Sequence, residues 1–257
     1  MLMPKNFRKI GCAECVAGAG LGFDFAMAFQ PIVHAPTRRV YAQEALARGP
    51  QGEPASHVFK QVNEENRYAF DQACRVKAIQ LAAELKVDSF ISINFMPNAV
   101  YRPELCIRTT IEAADTYGFP TRQIIFEFTE QEYITDMSHV RGIVRHYKER
   151  GFLTALDDFG AGYAGLNLLA DIDTDIIKLD MALVRGIDQD RRRQAIVRAM
   201  MAMCQELSTR VIAEGIETRE EYLALQDLGV ELFQGYYFAR PVFRALAPLP
   251  SAAVYER

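Results

Sequence analysis

Glu44, Asn94, Glu127, the adjacent pair Asp157 and Asp158, Lys178 with Asp180, Glu214 and Gln234 each stand near the end of a strongly apolar run. An ionised carboxylate in such a setting is costly unless it is paired or bound to a metal. The steps 94→127→157→178→214→234 are 33, 30, 21, 36 and 20 residues, lengths that fit successive βα units. Six acids against one lysine leave a local charge of −5. Two divalent cations nearly balance that excess, and an all-oxygen donor set suits Mg2+ or Mn2+ rather than zinc. A pair of such ions is a recurring arrangement for in-line displacement at phosphorus. Taken singly, each acid reads as a helix N-cap or a solvated loop residue. Their common register with the run ends points to one shared site.

The elements that must position these residues alternate between two kinds. Short β-rich runs cover 25–33, 40–48, 89–96, 123–130, 152–159, 174–180, 209–216 and 231–238. Helical periodicity is clearest over Ser56 to Leu85, Tyr133 to Arg150, Arg191 to Leu207 and Thr218 to Leu228. The last opens with Thr218 and, three residues on, Glu221, a capping-box signature, and stops at Gly229. Eight strands alternating with helices predict an α/β fold, a (β/α)8 TIM-like barrel whose parallel strand ends converge on one face. The first two runs are joined by HAPTRR (34–39), too short for a crossover helix, so the first strand is expected to run antiparallel. The expected organisation is an N-terminal tail carrying a C-x-x-C (1–22), a barrel (23–245) and a C-terminal tail (246–257).

Composition removes other classes. The chain has 257 residues, 50% of them hydrophobic and 24% charged, which excludes an extended disordered protein. A formal charge of −4 argues against a binder of nucleic-acid polymers. No run approaches the ~20 apolar residues of a spanning helix, and the glycine-rich start, interrupted by Glu14, reads poorly as a secretory signal. Five cysteines, an odd number, fit a reducing cytoplasm. Cys12 and Cys15 have no second ligand pair for zinc and sit outside the strand–helix context of a redox pair.

The motifs QPI (30–32), EALAR (44–48), INF (93–95), EFTE (127–130), DDFGAGYAGL (157–166), KLD (178–180), AEGIE (213–217) and QGYYFARP (234–241) follow one another in that order. From Phe29 to about Val242 the chain resembles the EAL domain family, cyclic-di-GMP phosphodiesterases of bacterial signalling. The resemblance implies hydrolysis of cyclic-di-GMP to linear pGpG with two Mg2+ or Mn2+ ions per site. It implies a first metal on Glu44, Asn94, Glu127 and Asp157, and a second on Asp157, Asp158 and Glu214. Lys178 and Asp180 match the pair that orients the attacking water, and Glu214 is also a candidate proton acceptor. Gln30, Arg48, Asp71 and Gln234 match substrate-side positions. Glu130 matches the acid that anchors the DDFGAGYAGL loop, which in the family couples metal binding to dimerisation, so a homodimer is implied. The alternative is a catalytically weak or inactive cyclic-di-GMP receptor acting through an unidentified protein partner. Degenerate members of that kind lose a metal ligand, and none is lost here.

Two departures stand out. Ala47 replaces the usual Leu, which reduces packing, and Met96 replaces a Ser, so a hydroxyl beside a ligand strand is lost or replaced. The segment after Arg48, which helps shape a guanine pocket in the family, is divergent. Tyr236, Tyr237 and Phe238 divide between stacking on guanine and core packing. His139 and His146, Met200, Met201 and Met203, and the basic triplet 191–193 read as structure or solvated helix surface.

Overall fold

A strand covered on both faces must be apolar at nearly every position until it leaves the core. Eight segments meet that demand in the computed structural model, which describes residues 21–100, 103–129, 136–162, 165–248 and 252–255. They are β1 (Ala26–His34), β2 (Arg39–Arg48), β3 (Phe90–Asn94), β4 (Ile124–Thr129), β5 (Leu153–Phe159), β6 (Ile176–Leu179), β7 (Arg210–Ala213) and β8 (Leu232–Phe233). Strands β2 to β8 pair in parallel, each with the next. β1 pairs antiparallel with both β2 and β8 and closes the barrel, as the short connection requires. A two-residue strand, β9 (Val242–Phe243), pairs with β1 from outside.

The connecting helices are α1 (Ala55–Phe59), α2 (Arg67–Glu84), α3 (Pro103–Tyr117), α4 (Met137–Lys148), α5 (Gly165–Asp171), α6 (Met181–Val184), α7 (Arg191–Glu206) and α8 (Arg219–Asp227). The continuous helix expected over Ser56 to Leu85 is instead two, α1 and α2. Between them the side chain of Asn63 accepts from the backbone N–H groups of Glu65 and Asn66, and that of Asn66 accepts from Asn63 N. These local bonds compete with the helical ladder and win. α3 lies outside the stretches of clear helical periodicity, whereas the capping box of α8 forms as its sequence predicts, Thr218 and Glu221 bonding reciprocally.

The barrel lumen is layered. Ile32, Ala42, Ile125, Ala155, Ile176, Ile212 and Leu232 form one apolar cluster, each 4% exposed or less. Side chains two apart on a strand share a face. Glu44, Glu127, Asp157, Lys178, Glu214 and Gln234 each follow a member of this layer by two residues, so they point inward one level above it. Gln30 reaches the same level from β1, where it pairs in register with Glu44. The larger core lies between strands and helices. The C-terminal end also packs on the barrel: Tyr255 is buried against Phe238 at 5.9 Å, and Tyr237 Oη donates to Val254 O. No helix among the described residues is long and apolar enough to cross a membrane.

Candidate active site

The C-terminal mouth of the barrel opens into a cleft of about 460 Å3 lined by Gln30, Glu44, Asp157, Asp158, Lys178, Glu214 and Gln234, among others. Lys178 stands at its centre, 1% exposed. Its Nζ lies 2.7 Å from Glu214 Oε1, 3.0 Å from Glu127 Oε2, 3.1 Å from Asp157 Oδ1 and 3.7 Å from Glu44 Oε1. Burial is the largest single influence on this lysine and works to lower its pKa. The four carboxylates, Asp157 first, together outweigh it and hold the ammonium charged.

The acids are under opposite pressure. Burial pushes Glu127 up to about 8, helped by Glu44 and Asp157 and opposed by Lys178 and a hydrogen bond from Ser92. Burial likewise raises Glu214 well above the usual carboxylate range, and raises Asp158, where Asp157 adds to it. One lysine therefore does not balance the charge of the cluster.

Two sets of carboxylate oxygens lie close enough to share an ion. Atoms from Glu44, Glu127 and Asp157 fall within 4.8 Å of one another, and so do atoms from Asp157, Asp158 and Glu214. Both sets offer only oxygen, which fits Mg2+ or Mn2+. Asp157 belongs to both. Asn94 Nδ2 donates to Glu44 Oε1 at 3.1 Å, which leaves its carbonyl oxygen available to a cation. Gln234 Nε2 donates to Glu44 Oε2 at 2.6 Å, while its own Oε1 is buried without a partner, a group that calls for a ligand or its water.

The backbone explains how two consecutive acids enter one cleft. In a regular strand Asp157 and Asp158 would face opposite sides of the sheet. The β5–β6 register slips between Leu156 and Phe159, and Asp158 takes the left-handed conformation at φ +53°. This bulge turns both carboxylates into the cleft, and Thr129 Oγ1 donates to Asp158 Oδ2.

β3 brings a hydroxyl of its own to the carboxylate cluster. Ser92, two residues before Asn94 and fully buried, donates to Glu127 Oε1 at 2.5 Å. Asp180 caps α6, accepting from Ala182 N, and its charge also contributes to raising Asp158. Gln30 lines the cleft while donating to Ala239 O. Arg48 turns back to donate to Ala47 O and lines neither cavity. Asp71 is buried, paired with Arg75, and lines a neighbouring apolar cavity of about 400 Å3 that meets the cleft at Glu44 and includes Ala47, Phe59 and Phe70. Glu130, Cys12 and Cys15 lie outside the described residues.

Reading the sequence missed Met181, Arg185 and Glu217 on the rim. Arg185 Nη2 donates to Glu217 Oε1 at 2.9 Å. They sit in loops and a four-residue helix where no periodicity marks them. Of the three aromatics after Gln234, Tyr236 lines the cleft, 49% exposed, with Arg240 over its ring at 4.1 Å, while Phe238 belongs to the core.

Two measurements test this geometry. Glu127 and Glu214 must each shed a proton to bind a cation, so Mn2+ affinity is expected to fall about tenfold or more per pH unit as pH drops below about 8. Calorimetric titration between pH 6 and 9 reads this directly, and a flat profile contradicts it. Gly235 is needed for a backbone crossing, because a Cβ there would stand 2.1 Å from Ile216 O and 2.3 Å from Ile216 N. Gly235→Ala is expected to cost about 2–3 kcal/mol, a Tm loss of roughly 5–10 °C, and to pull Gln234 from Glu44.

Comparison with known proteins bears on the fold and the family. A standalone versatile EAL protein from Vibrio cholerae O395, solved in its c-di-GMP bound form, superposes with a TM-score of 0.88 at 52% identity, covering 91% of this chain and 99% of that one. BlrP1 of Klebsiella pneumoniae, solved as a manganese/cy-diGMP complex, gives a TM-score of 0.81 at 36% identity over 86% of this chain and 56% of its own. The blue light- and temperature-regulated antirepressor BluF of Escherichia coli (strain K12) is 32% identical over 231 residues, 90% of this chain and 57% of BluF. The cyclic di-GMP phosphodiesterase PA2567 of Pseudomonas aeruginosa is 30% identical over 85% of this chain and 38% of its own length. The chain thus spans about half or less of these two curated relatives. The EAL domain profile matches residues 21–241, most of the chain, and with the carboxylate cluster in place at the barrel mouth, the chain belongs to the EAL domain family.

Proposed function

We propose that this chain is a divalent-cation-dependent phosphodiesterase that hydrolyses one 3′–5′ phosphodiester bond of cyclic-di-GMP to linear pGpG in a bacterial cytoplasm. The observation that carries the reading is Asp157, which belongs to both oxygen clusters while Lys178 contacts members of each. Two relatives bearing the name cyclic di-GMP phosphodiesterase support it, as do solved neighbours holding cy-diGMP with manganese or calcium.

Glu44, Asn94, Glu127 and Asp157 would hold one Mg2+ or Mn2+, and Asp157, Asp158 and Glu214 the other. Such ions, when bound, supply Lewis-acid stabilisation of phosphoryl charge and lower the pKa of water. The chain's own residues do the rest. Lys178 stays charged in the cleft and stabilises negative charge developing on the scissile phosphate. Glu214 accepts the proton of the attacking water, and Asp180 helps orient that water. Gln234 fixes Glu44. The apolar cavity beside Glu44 takes one guanine, widened by Ala47 and edged by Asp71, and Gln30 meets the substrate from the cleft; Arg48, bonded to Ala47 O, would turn outward to reach a substrate phosphate. Tyr236, backed by Arg240, offers a ring face to the other. A homodimer would form near α5, where Leu166 is 64% exposed.

Incubation with cyclic-di-GMP and Mn2+ or Mg2+, followed by chromatography, is expected to yield pGpG. Tight binding without product would overturn the hydrolase and favour a receptor working through a regulatory protein, a reading that the antirepressor BluF supports.

A further inference from the structure

β3 ends at Asn94, whose side chain is exposed. An exposed ligand on a strand end is only as well placed as the peptide that follows it. Phe95 N donates to Glu127 O at 2.8 Å, and Met96 N donates to Asp71 Oδ1 at 2.9 Å. The other oxygen of Asp71 pairs with Arg75 Nη2 at 2.6 Å, and Arg75 Nη1 donates to Tyr147 Oη at 3.0 Å. The guanidinium lies over the rings of Phe126 at 5.1 Å, Phe95 at 5.5 Å and Tyr147 at 6.0 Å. Phe95 follows Asn94 and Phe126 precedes Glu127, so one cation packs against a chain neighbour of each.

Asp71 is 4% exposed and Arg75 1%. A buried ion pair gains little stability over apolar residues of the same volume, because desolvation offsets the attraction. Stability alone therefore gives little reason for this pair. What it does do is hold one backbone N–H, that of Met96, two residues beyond the ligand. We propose that Arg75 and Asp71 are positioning residues that fix the Met96 amide and thereby aim the Asn94 carbonyl oxygen at the cation site. The inference rests on reading Asn94 as a ligand, but not on the reaction.

The test uses Mn2+ alone, measured by electron paramagnetic resonance without nucleotide, alongside thermal melting. Asp71→Ala combined with Arg75→Met removes both buried charges, so the fold is expected to survive. Its Mn2+ Kd is expected to rise about tenfold or more. Asp71→Asn combined with Arg75→Met keeps a carbonyl oxygen for Met96 N, and its Kd is expected to return to within about threefold of the parent chain. An unchanged Kd in the first double variant overturns the proposal, since a residue that only touches a base leaves metal binding alone. A melting loss with an unchanged Kd overturns it too. If that variant does not fold, Tyr147→Phe carries the test: a Kd raised about threefold supports the proposal, and an unchanged one overturns it. A parent chain that binds Mn2+ yet leaves cyclic-di-GMP intact defeats the proposed reaction and leaves this result readable.

Discussion

Lys178→Met protein loaded with Mn2+ is expected to lose about 10²–10³ in kcat while melting close to the parent chain. The methionine fills the volume of the lysine stem, so the loss is one of charge. Nζ stands within 3.1 Å of three carboxylates, and that position places it to meet a phosphate lying across the cleft. Without metal the same substitution has a different effect. It leaves Glu44, Glu127, Asp157 and Glu214 facing one another with no cation. Removing one partner of a buried pair costs about 3 kcal/mol or more, read here as a Tm loss of roughly 6–12 °C.

The sign of the pH dependence follows from the raised carboxyls. Glu127 in the parent chain takes up a proton below about 8, and Glu214 is raised in the same direction. Lys178 lowers both of these pKa values, so its loss lets Glu127 and Glu214 take up protons more readily still, and the metal-free destabilisation should shrink as pH falls and grow as pH rises. Melting at pH 5 and pH 8, with and without Mn2+, together with turnover, checks all of this. Parent-like turnover in the variant would remove Lys178 from the chemistry.

Asp157→Asn should have the largest effect of any single change. Asp157 is the one carboxylate shared by both oxygen clusters, so the amide weakens both cation positions together. Turnover is expected to fall by more than about 10³-fold, and calorimetric titration should show neither tight Mn2+ equivalent. Asp158→Asn, by contrast, touches only the second cluster, so one tight equivalent should remain. If Asp157→Asn retains both equivalents, the bridging assignment is wrong.

The pattern that made this site legible is physical. Glu44, Glu127, Asp157, Lys178, Glu214 and Gln234 could be found in the sequence because each breaks an apolar run where a strand leaves the core, and burial makes such a break expensive. The same reasoning passes over Ser92, which looks like an ordinary small residue in an apolar strand, although it bonds Glu127. It passes over Arg75 as well, because a helical Arg reads as solvated until three aromatic rings close around it. Met181, Arg185 and Glu217 reach the rim from a four-residue helix and loops whose paths depend on packing. The break between α1 and α2 was hidden because apolar spacing continues across it, while the side chains of Asn63 and Asn66 redirect the backbone.

The eight barrel strands, the antiparallel first strand, the capping box of α8 and the gathering of polar residues at the strand ends were legible in the sequence. These follow from local chemistry: run length, connection length, and the two-residue period of a strand. Which acids come close enough to hold an ion together is set by tertiary contacts. The β5 bulge and the left-handed Asp158 bring two consecutive carboxylates to one side, against the alternation that a strand pattern predicts. Closure of the barrel then sets residues as distant as Glu44 and Gln234 at 2.6 Å. Such contacts depend on how eight strands stagger around one axis, a geometry that no single segment of the chain contains.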